Sequence, residues 1–161
     1  MSFNIVLVEP EIPQNTGNIA RTCAATGSNL YLVKPLGFSV EDRYLKRAGL
    51  DYWKDVNVIY IDSLKELTDK YKDSEFYFAS TKAVNLYSEI RYNDGTFFVF
   101  GKETAGLPES LLYENKDKCI KIPMLNGIRS LNLANSVAVV LYEALRQGGF
   151  LNLACEGRLR Y

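Results

Sequence analysis

Six short apolar runs recur along the chain, and most of them are continuous rather than alternating. They cover Asn4–Val8, Leu30–Val33, Val56–Ile61, Phe76–Ala79, Thr96–Phe100 and Cys119–Ile122. Continuous runs rich in β-branched and aromatic residues are typical of strands that are covered on both faces. Segments with helical signals separate them, so the sequence predicts an α/β fold whose sheet is mostly parallel and flanked by helices.

Residues that favour helix ends occur between these runs. Helices are predicted to begin at Asn15-Thr16, after Ser39, after Ser63 and at Pro108, and the first two to end near Gly27 and Gly49. No Ser/Gly linker, low-complexity tract or internal repeat divides the chain. We therefore expect a single domain over residues 1–161.

The segment from Ser130 to Gly149 predicts a further helix with two apolar stripes. One stripe holds Leu131, Ala134, Ala138, Leu141 and Leu145, and the other holds Leu133, Val137, Val140 and Ala144. A helix that is apolar on most sides must be buried on most sides, and the sheet of a small domain covers only one of them. We expect a homodimer in which this helix meets a second copy; burial within one subunit is the alternative.

Charge and cysteine content narrow the possible functions. Nineteen basic residues balance nineteen acidic ones, so a nucleic acid would have to bind a local basic cluster. The chain has no histidine, the commonest general base and metal ligand, and we expect no metal site. Three scattered cysteines without a CxxC pair are typical of reduced thiols in a cytoplasmic protein. No apolar run approaches the length of a membrane span.

Three polar segments interrupt this scaffold. They are Glu11–Thr22, with Asn15, Gly17 and Arg21 at an N-x-G-x-x-x-R spacing; Gly101–Pro108, with the spacing G-x-E-x-x-G-L-P; and Ile120–Ser136, a loop before the last helix. Singly, they are compatible with a helix cap, a tight strand-to-helix turn and a second capped helix. Neither GxxxxGK[ST] nor GxGxxG is present, which disfavours a flavodoxin-like nucleotide-binding enzyme.

In this order, the three segments resemble the motifs of the SPOUT class of RNA methyltransferases. The similarity runs from "NIVLVEPEIPQNTGNIAR" through "RAGLDYW" and "FGKETAGLP" to "RSLNLANSVAVVLYEALRQ", nearly the whole chain. Within the class, the chain is similar to the smallest members, tRNA ribose 2′-O-methyltransferases that act at the wobble nucleotide 34, cytidine or uridine. The resemblance implies a deep trefoil knot near the carboxyl end, S-adenosylmethionine as cofactor, and the anticodon loop of tRNA as substrate.

The same resemblance implies roles for individual residues. Arg21, Glu103 and Asn132 are the expected catalytic residues, with Arg21 acting across the dimer interface. We expect Arg21 to be a cationic clamp on a phosphate or on the emerging alkoxide, because a guanidinium is rarely deprotonated. Glu103 is expected to orient Arg21 or the cofactor loop, and Asn132 to support the reacting ribose. The expected cofactor-binding residues are Ala79, Gly101, Gly106, Ile122, Ser130 and Leu131, with Gly106 keeping its loop open.

RNA contact is predicted at two places. Lys46 and Arg47 belong to a basic cluster with aromatic neighbours that can stack on bases; a solvated helix face is the alternative. Arg129 and Tyr142 are expected near the cofactor pocket. Two other functions remain open: a non-catalytic RNA-binding dimer with the same fold, and a ribose methyltransferase that acts on ribosomal RNA.

Overall fold

The centre of the structure is a parallel sheet. The computed structural model describes residues 2–39 and 53–157. The strands are β1 (Asn4–Val8), β2 (Asn29–Val33), β3 (Val58–Ile61), β4 (Phe76–Ala79), β5 (Asn85–Leu86), β6 (Phe97–Phe100) and β7 (Cys119–Lys121). They are ordered β3-β2-β1-β6-β4-β7-β5, and every pairing between them is parallel. The prediction of a mostly parallel α/β sheet is confirmed.

The helices within the described residues are α1 (Pro13–Thr26), α2 (Leu64–Lys70), α3 (Glu109–Glu114) and α4 (Leu133–Gln147). Ser63 caps α2, since its Oγ accepts a hydrogen bond from the N–H of Glu66 at 3.1 Å. Gly27 ends α1 in a left-handed conformation with φ 68°. The helix predicted between Ser39 and Gly49 lies outside the described residues. None of the described helices is long and apolar enough to cross a membrane.

Local details differ from the predicted elements. The first helix begins at Pro13 rather than at Asn15, because proline suits the first helical position, where an N–H would have no helical partner. Asn15 is therefore a buried residue of the first turn and not an N-cap. Pro108 is the N-cap of α3, one residue before its expected place. Strand β5 was not predicted because two residues are too few to form a recognisable apolar run.

Helices cover both faces of the sheet. Helices α1 and α4 pack together on one face, and α2 and α3 cover the other. Both predicted stripes of α4 contribute to the buried core, with Val137, Val140, Ala144, Leu141 and Leu145. The two stripes therefore do not face separate partners as expected. The outer face of α4 keeps Tyr142 exposed, which leaves a smaller apolar surface for a second copy.

The strand order brings the three polar segments to one edge of the sheet. Strands β1, β6, β4 and β7 are consecutive in the sheet, and the carboxyl ends of parallel strands share an edge. The segments that follow Val8, Phe100 and Lys121 therefore emerge side by side. This is the edge at which ligands bind in open α/β sheets.

Candidate active site

A cavity of about 660 Å³ opens at this edge of the sheet. The ends of β4, β6 and β7, the loops after β6 and β7, and the first turns of α4 form its wall. Its volume falls in the range of about 300–1,000 Å³ that is usual for small-molecule sites. The residues predicted to bind a cofactor all line it: Ala79, Gly101, Gly106, Ile122, Ser130 and Leu131. Two of the polar segments therefore wall one cavity, while the cofactor role of these residues stays a prediction.

The loop after β6 folds tightly back on itself. A Cβ added at Gly101 would lie 2.1 Å from the carbonyl carbon of Gly106 and 2.3 Å from the nitrogen of Leu107. Gly106 has φ 71°, and its N–H donates to the C=O of Lys102 at 2.8 Å. The expectation that Gly106 keeps this loop open is therefore wrong. Its left-handed conformation closes the loop, and Gly101 leaves the space into which the loop closes.

The closed loop is bound to the segment after β1. The Glu103 carboxylate accepts hydrogen bonds from the N–H groups of Glu11 at 2.8 Å and Ile12 at 3.2 Å. In return, the Glu11 carboxylate accepts from the N–H of Thr104 at 3.1 Å and from its Oγ1 at 2.7 Å. Lys102 Nζ donates to Glu9 Oε2 at 2.8 Å. We call these contacts the loop clasp; its members are Glu9, Glu11, Ile12, Lys102, Glu103 and Thr104.

Two asparagines join the third polar segment to the loop clasp. Asn15 Nδ2 donates to Glu103 Oε1 at 3.0 Å, and Asn132 Nδ2 donates to Asn15 Oδ1 at 2.9 Å. The Oδ1 of Asn132 accepts from the N–H of Ala134 at 2.9 Å, so the same side chain caps α4. One chain of hydrogen bonds therefore connects one residue from each of the three segments.

The predicted catalytic residues do not share one place. Glu103 lines the cavity, but its carboxylate oxygens bind the start of α1. Asn132 is the N-cap of α4 and does not line the cavity. Arg21 lies on the exposed side of α1, about 9 Å along the helix axis from Asn15. Glu103 and Asn132 thus hold the segments together, and Arg21 lies outside the lining of its own subunit's cavity.

The predicted RNA-binding residues are also divided. Arg129 is exposed and lines the cavity. Tyr142 was expected near the pocket, and it does not line the cavity. The reason is helical geometry, because Val140 faces the cavity and Tyr142 lies about 200° further around α4. Lys46 and Arg47 lie outside the described residues.

Charged side chains near the cavity are partly paired with one another. Lys82 is paired with Glu109, and Lys102 with Glu9. The hydrogen bond to Glu9 raises the pKa of Lys102 above its ordinary value, so this ammonium is charged at neutral pH. Within residues 2–39 and 53–157, no group of three or more His, Cys, Asp or Glu side chains is placed to hold a metal ion. The cavity can therefore bind and orient a ligand chiefly through backbone groups, hydroxyls and apolar surface.

Sequence reasoning missed Glu9, Glu11 and Thr104, which form half of the loop clasp. A signal was present in the two acids that flank Pro10 and in the Lys102-Glu103 pair. The register of β1 on β6 pairs Leu7 with Phe100, and Glu9 and Lys102 each follow two residues later. The signal becomes readable once β1 and β6 are known to be neighbours, and the strand order does not follow from the apolar runs.

The chain matches the SpoU rRNA Methylase family over residues 2–142. A tRNA (cytidine(34)-2'-O)-methyltransferase of Methylovorus glucosotrophus (strain SIP3-4) is 48% identical to it, over 92% of this chain and 97% of the relative.

Two solved structures share the fold. One is described as giving "Structural insights into the 2-OH methylation of C/U34 on tRNA"; it is 42% identical with a TM-score of 0.87, over 92% of this chain and 97% of its own. The other is the SpoU methyltransferase AviRb of Streptomyces viridochromogenes in complex with the cofactor AdoMet. It is 24% identical with a TM-score of 0.80, over 90% of this chain and 57% of its own, a likeness of fold.

Proposed function

Because the chain belongs to the SpoU rRNA Methylase family, we propose that it methylates the ribose 2′-hydroxyl of nucleotide 34, cytidine or uridine, in the anticodon loop of tRNA. The methyl donor is S-adenosylmethionine. The choice of nucleotide follows the relatives that are 48% and 42% identical over nine-tenths of the chain. The observation that carries the proposal is that two of the segments wall one cavity and that the third is joined to them through Glu103, Asn15 and Asn132.

The chemistry of the wall fits S-adenosylmethionine. Phe100, Ile120 and Val140 give the wall an apolar surface beside the exposed backbone of the glycine loop. Such a wall suits an adenine ring, which offers donors and acceptors and needs no counter-charge. We assign binding to Ala79, Gly101, Ile122, Ser130 and Leu131 through backbone groups and packing, and to Gly106 because it closes the loop.

Bound S-adenosylmethionine supplies a methyl group that its sulfonium already activates. The residues of the chain must then orient the ribose hydroxyl, exclude water and ease removal of the hydroxyl proton. Orientation alone can contribute about 7–11 kcal/mol. Since the chain has no histidine, we assign the electrostatic part to Arg21, whose guanidinium stabilises the alkoxide or binds the adjacent phosphate. Glu103 and Asn132 act by positioning the segments that they join.

We propose that the protein works as a homodimer in which Arg21 completes the cavity of the partner subunit. Arg21 lies outside the lining of its own cavity, on the exposed side of α1. Several large apolar side chains at the start of α1, in the loop after β7 and on α4 are also exposed, and a second copy would cover them: Ile12 (41%), Ile128 (57%), Leu131 (39%) and Tyr142 (45%).

Mixed dimers test this arrangement. Arg21→Ala and Ser130→Trp, which fills the cavity, should each abolish methylation. When the two variants are unfolded, mixed and refolded together, half of the dimers are mixed and each has one complete site of two, so about a quarter of the wild-type activity should return. No recovery in dimers shown to be mixed would mean that Arg21 serves its own subunit's cavity.

Several finer features belong to the same proposal. Arg129, Tyr142, Lys46 and Arg47 bind the RNA, with the salt sensitivity that phosphate contacts bring. One domain spans residues 1–161, since one sheet holds every described strand. The segments after β6 and β7 interlock as the trefoil knot of the family. The location is cytoplasmic, where the substrate tRNA and reduced cysteines occur.

The reaction is tested by incubating the protein with labelled S-adenosylmethionine and total RNA, then mapping the methylated nucleotide. We expect a 2′-O-methyl group at position 34 of tRNA, and we expect Arg21→Ala to bind the cofactor but to lose at least about 100-fold in rate. Ribosomal RNA is the second candidate substrate, favoured by the description of the family. Binding of RNA and cofactor without any transfer would instead indicate a non-catalytic RNA-binding dimer.

A further inference from the structure

One residue of the loop clasp, Glu11, contacts the cavity wall without lining the cavity itself. Glu11 does not line the cavity, whereas Lys102, Glu103 and Thr104 do. Both hydrogen bonds from Thr104, one from its N–H and one from its hydroxyl, end on Oε2 of Glu11. Thr104 lies in the closed part of the loop, between the Lys102 C=O and the Gly106 N–H that bonds to it.

We propose that Glu11 is a positioning residue that sets the affinity for the cofactor by holding Thr104. This inference rests on the proposed function, because it takes the ligand of the cavity to be S-adenosylmethionine. Glu11 itself does not touch the cofactor. Its carboxylate fixes the loop in the shape that the cofactor meets, so less order has to be gained on binding.

The backbone of Glu11 is held from two sides, which makes its carboxylate a fixed support. Its N–H donates to Glu103 at 2.8 Å. On the other side, Gly37 packs so closely that a Cβ there would lie 2.8 Å from the Glu11 Cα, and the Gly37 N–H donates to the C=O of Pro10 at 2.9 Å. Because the backbone of Glu11 is fixed, Glu11 cannot move to restore a lost contact with Thr104. Loss of these bonds therefore leaves the loop without its support on this side.

The effect should be measurable in cofactor binding alone. Hydrogen bonds to a charged acceptor are stronger than neutral ones, so we expect loss of the Thr104 contact to weaken binding about tenfold. Thr104→Val removes the hydroxyl and keeps the shape of the side chain, and Glu11→Ala removes the acceptor. Thr104→Val breaks only the hydroxyl bond, whereas Glu11→Ala breaks that bond and the one from the Thr104 N–H. The double variant should therefore lose no more affinity than Glu11→Ala alone, rather than the product of the two effects.

Titration calorimetry with S-adenosylmethionine on these three variants tests the inference. Thr104→Ser, which keeps the hydroxyl, should restore binding to within about twofold of the wild type. The matched control is Thr68→Val on α2, whose hydroxyl donates within its own helix to the C=O of Lys65; it should bind as the wild type does. Thermal unfolding of every variant shows that each is folded.

The outcomes separate the inference from the proposed function. Wild-type affinity in Thr104→Val, or losses in Glu11→Ala and Thr104→Val that multiply in the double variant, would overturn the positioning role while leaving the methyltransferase assignment intact. If the wild-type protein itself takes up no S-adenosylmethionine, the proposed function fails and the inference fails with it.

Discussion

The two loops that wall the cavity are held in very different ways. The loop after β6 is bound to the segment after β1 by side chains and backbone groups from both sides, and Glu103 extends this contact to Asn15. The loop after β7 has one turn bond between residues 123 and 131 among the described contacts, from the N–H of Ile128 to the C=O of Leu125 at 3.2 Å. Leu125 there is 82% exposed.

This difference assigns different tasks to the two walls. A loop that makes many contacts with the rest of the protein keeps its shape without ligand, and so it lowers the entropy cost of binding. A loop with few contacts opens at low free-energy cost, and elements that move during binding are drawn from such regions. We infer that the wall after β6 is preformed, and that the wall after β7 orders when the ligand arrives.

Gly101→Ala should disturb the preformed wall most. The added Cβ would lie 2.1 Å from the Gly106 backbone, so the loop must leave its closed shape. We expect S-adenosylmethionine affinity to fall by about 100-fold or more, measured by calorimetry. Gly157→Ala is the control, because a Cβ there meets nothing within 4 Å. Affinity within threefold of the wild type in Gly101→Ala would show that the closed loop does not matter for binding.

Glu103→Gln should come next in size. The carboxylate accepts hydrogen bonds from two backbone N–H groups and from the side chain of Asn15. In glutamine, an NH₂ group replaces one of the two oxygens, so a donor would face groups that are themselves donors. We expect a loss of about 2 kcal/mol in the free energy of unfolding, which lowers the melting temperature by about 4–8 °C for a chain of this length. An unchanged melting temperature would mean that the loop clasp contributes nothing to the stability of the fold.

Gly127→Ala tests the loosely held wall and should have a smaller effect. Gly127 has φ 86° with open space around it, so alanine brings backbone strain of about 1–2 kcal/mol and no collision. Because this loop can relax, we expect the melting temperature to change by less than about 2 °C and S-adenosylmethionine affinity to fall about threefold. A large drop in melting temperature would contradict the distinction between the two walls.

Glu9→Gln should have the smallest effect. It removes a half-exposed ion pair with Lys102, and such pairs contribute little to stability because water screens them. The pKa of Lys102 is raised from its ordinary 10.5 by the bond to Glu9, so the contribution is complete below 10.5 and is lost only as the pH rises through the raised pKa. Denaturant unfolding should give the same difference in the free energy of unfolding between the wild type and Glu9→Gln at pH 6 and at pH 9. A difference that disappears between these values would contradict this assignment.

The sequence predicted the scaffold better than the connections within it. Continuous apolar runs identified six of the seven strands to within two residues at each end, because burial on both faces leaves a local signature. The contacts between Glu11 and Thr104 and between Asn15 and Asn132 join residues about ninety or more positions apart, and no local pattern encodes such pairs. The closed turn at Gly106 and the direction of Tyr142 on its helix were not predicted for the same reason, since backbone closure and helix orientation depend on neighbours in space.

The lining of the cavity followed from family resemblance rather than from physical reasoning on the residues. Ala79, Ile122 and Leu131 are ordinary apolar residues in the sequence, and nothing in their chemistry marks them as neighbours of a cavity. The structure brings them together because β4 and β7 end, and α4 begins, at the same edge of the sheet.

Hydrogen exchange with and without S-adenosylmethionine tests the difference between the two walls most directly. We predict that the N–H groups of Thr104 and Gly106 are protected already in the free protein and change little on binding. Residues 124–131 should exchange rapidly in the free protein and gain strong protection with the cofactor. Equal protection of both loops in the free protein, or protection gained only at residues 102–106, would contradict the account.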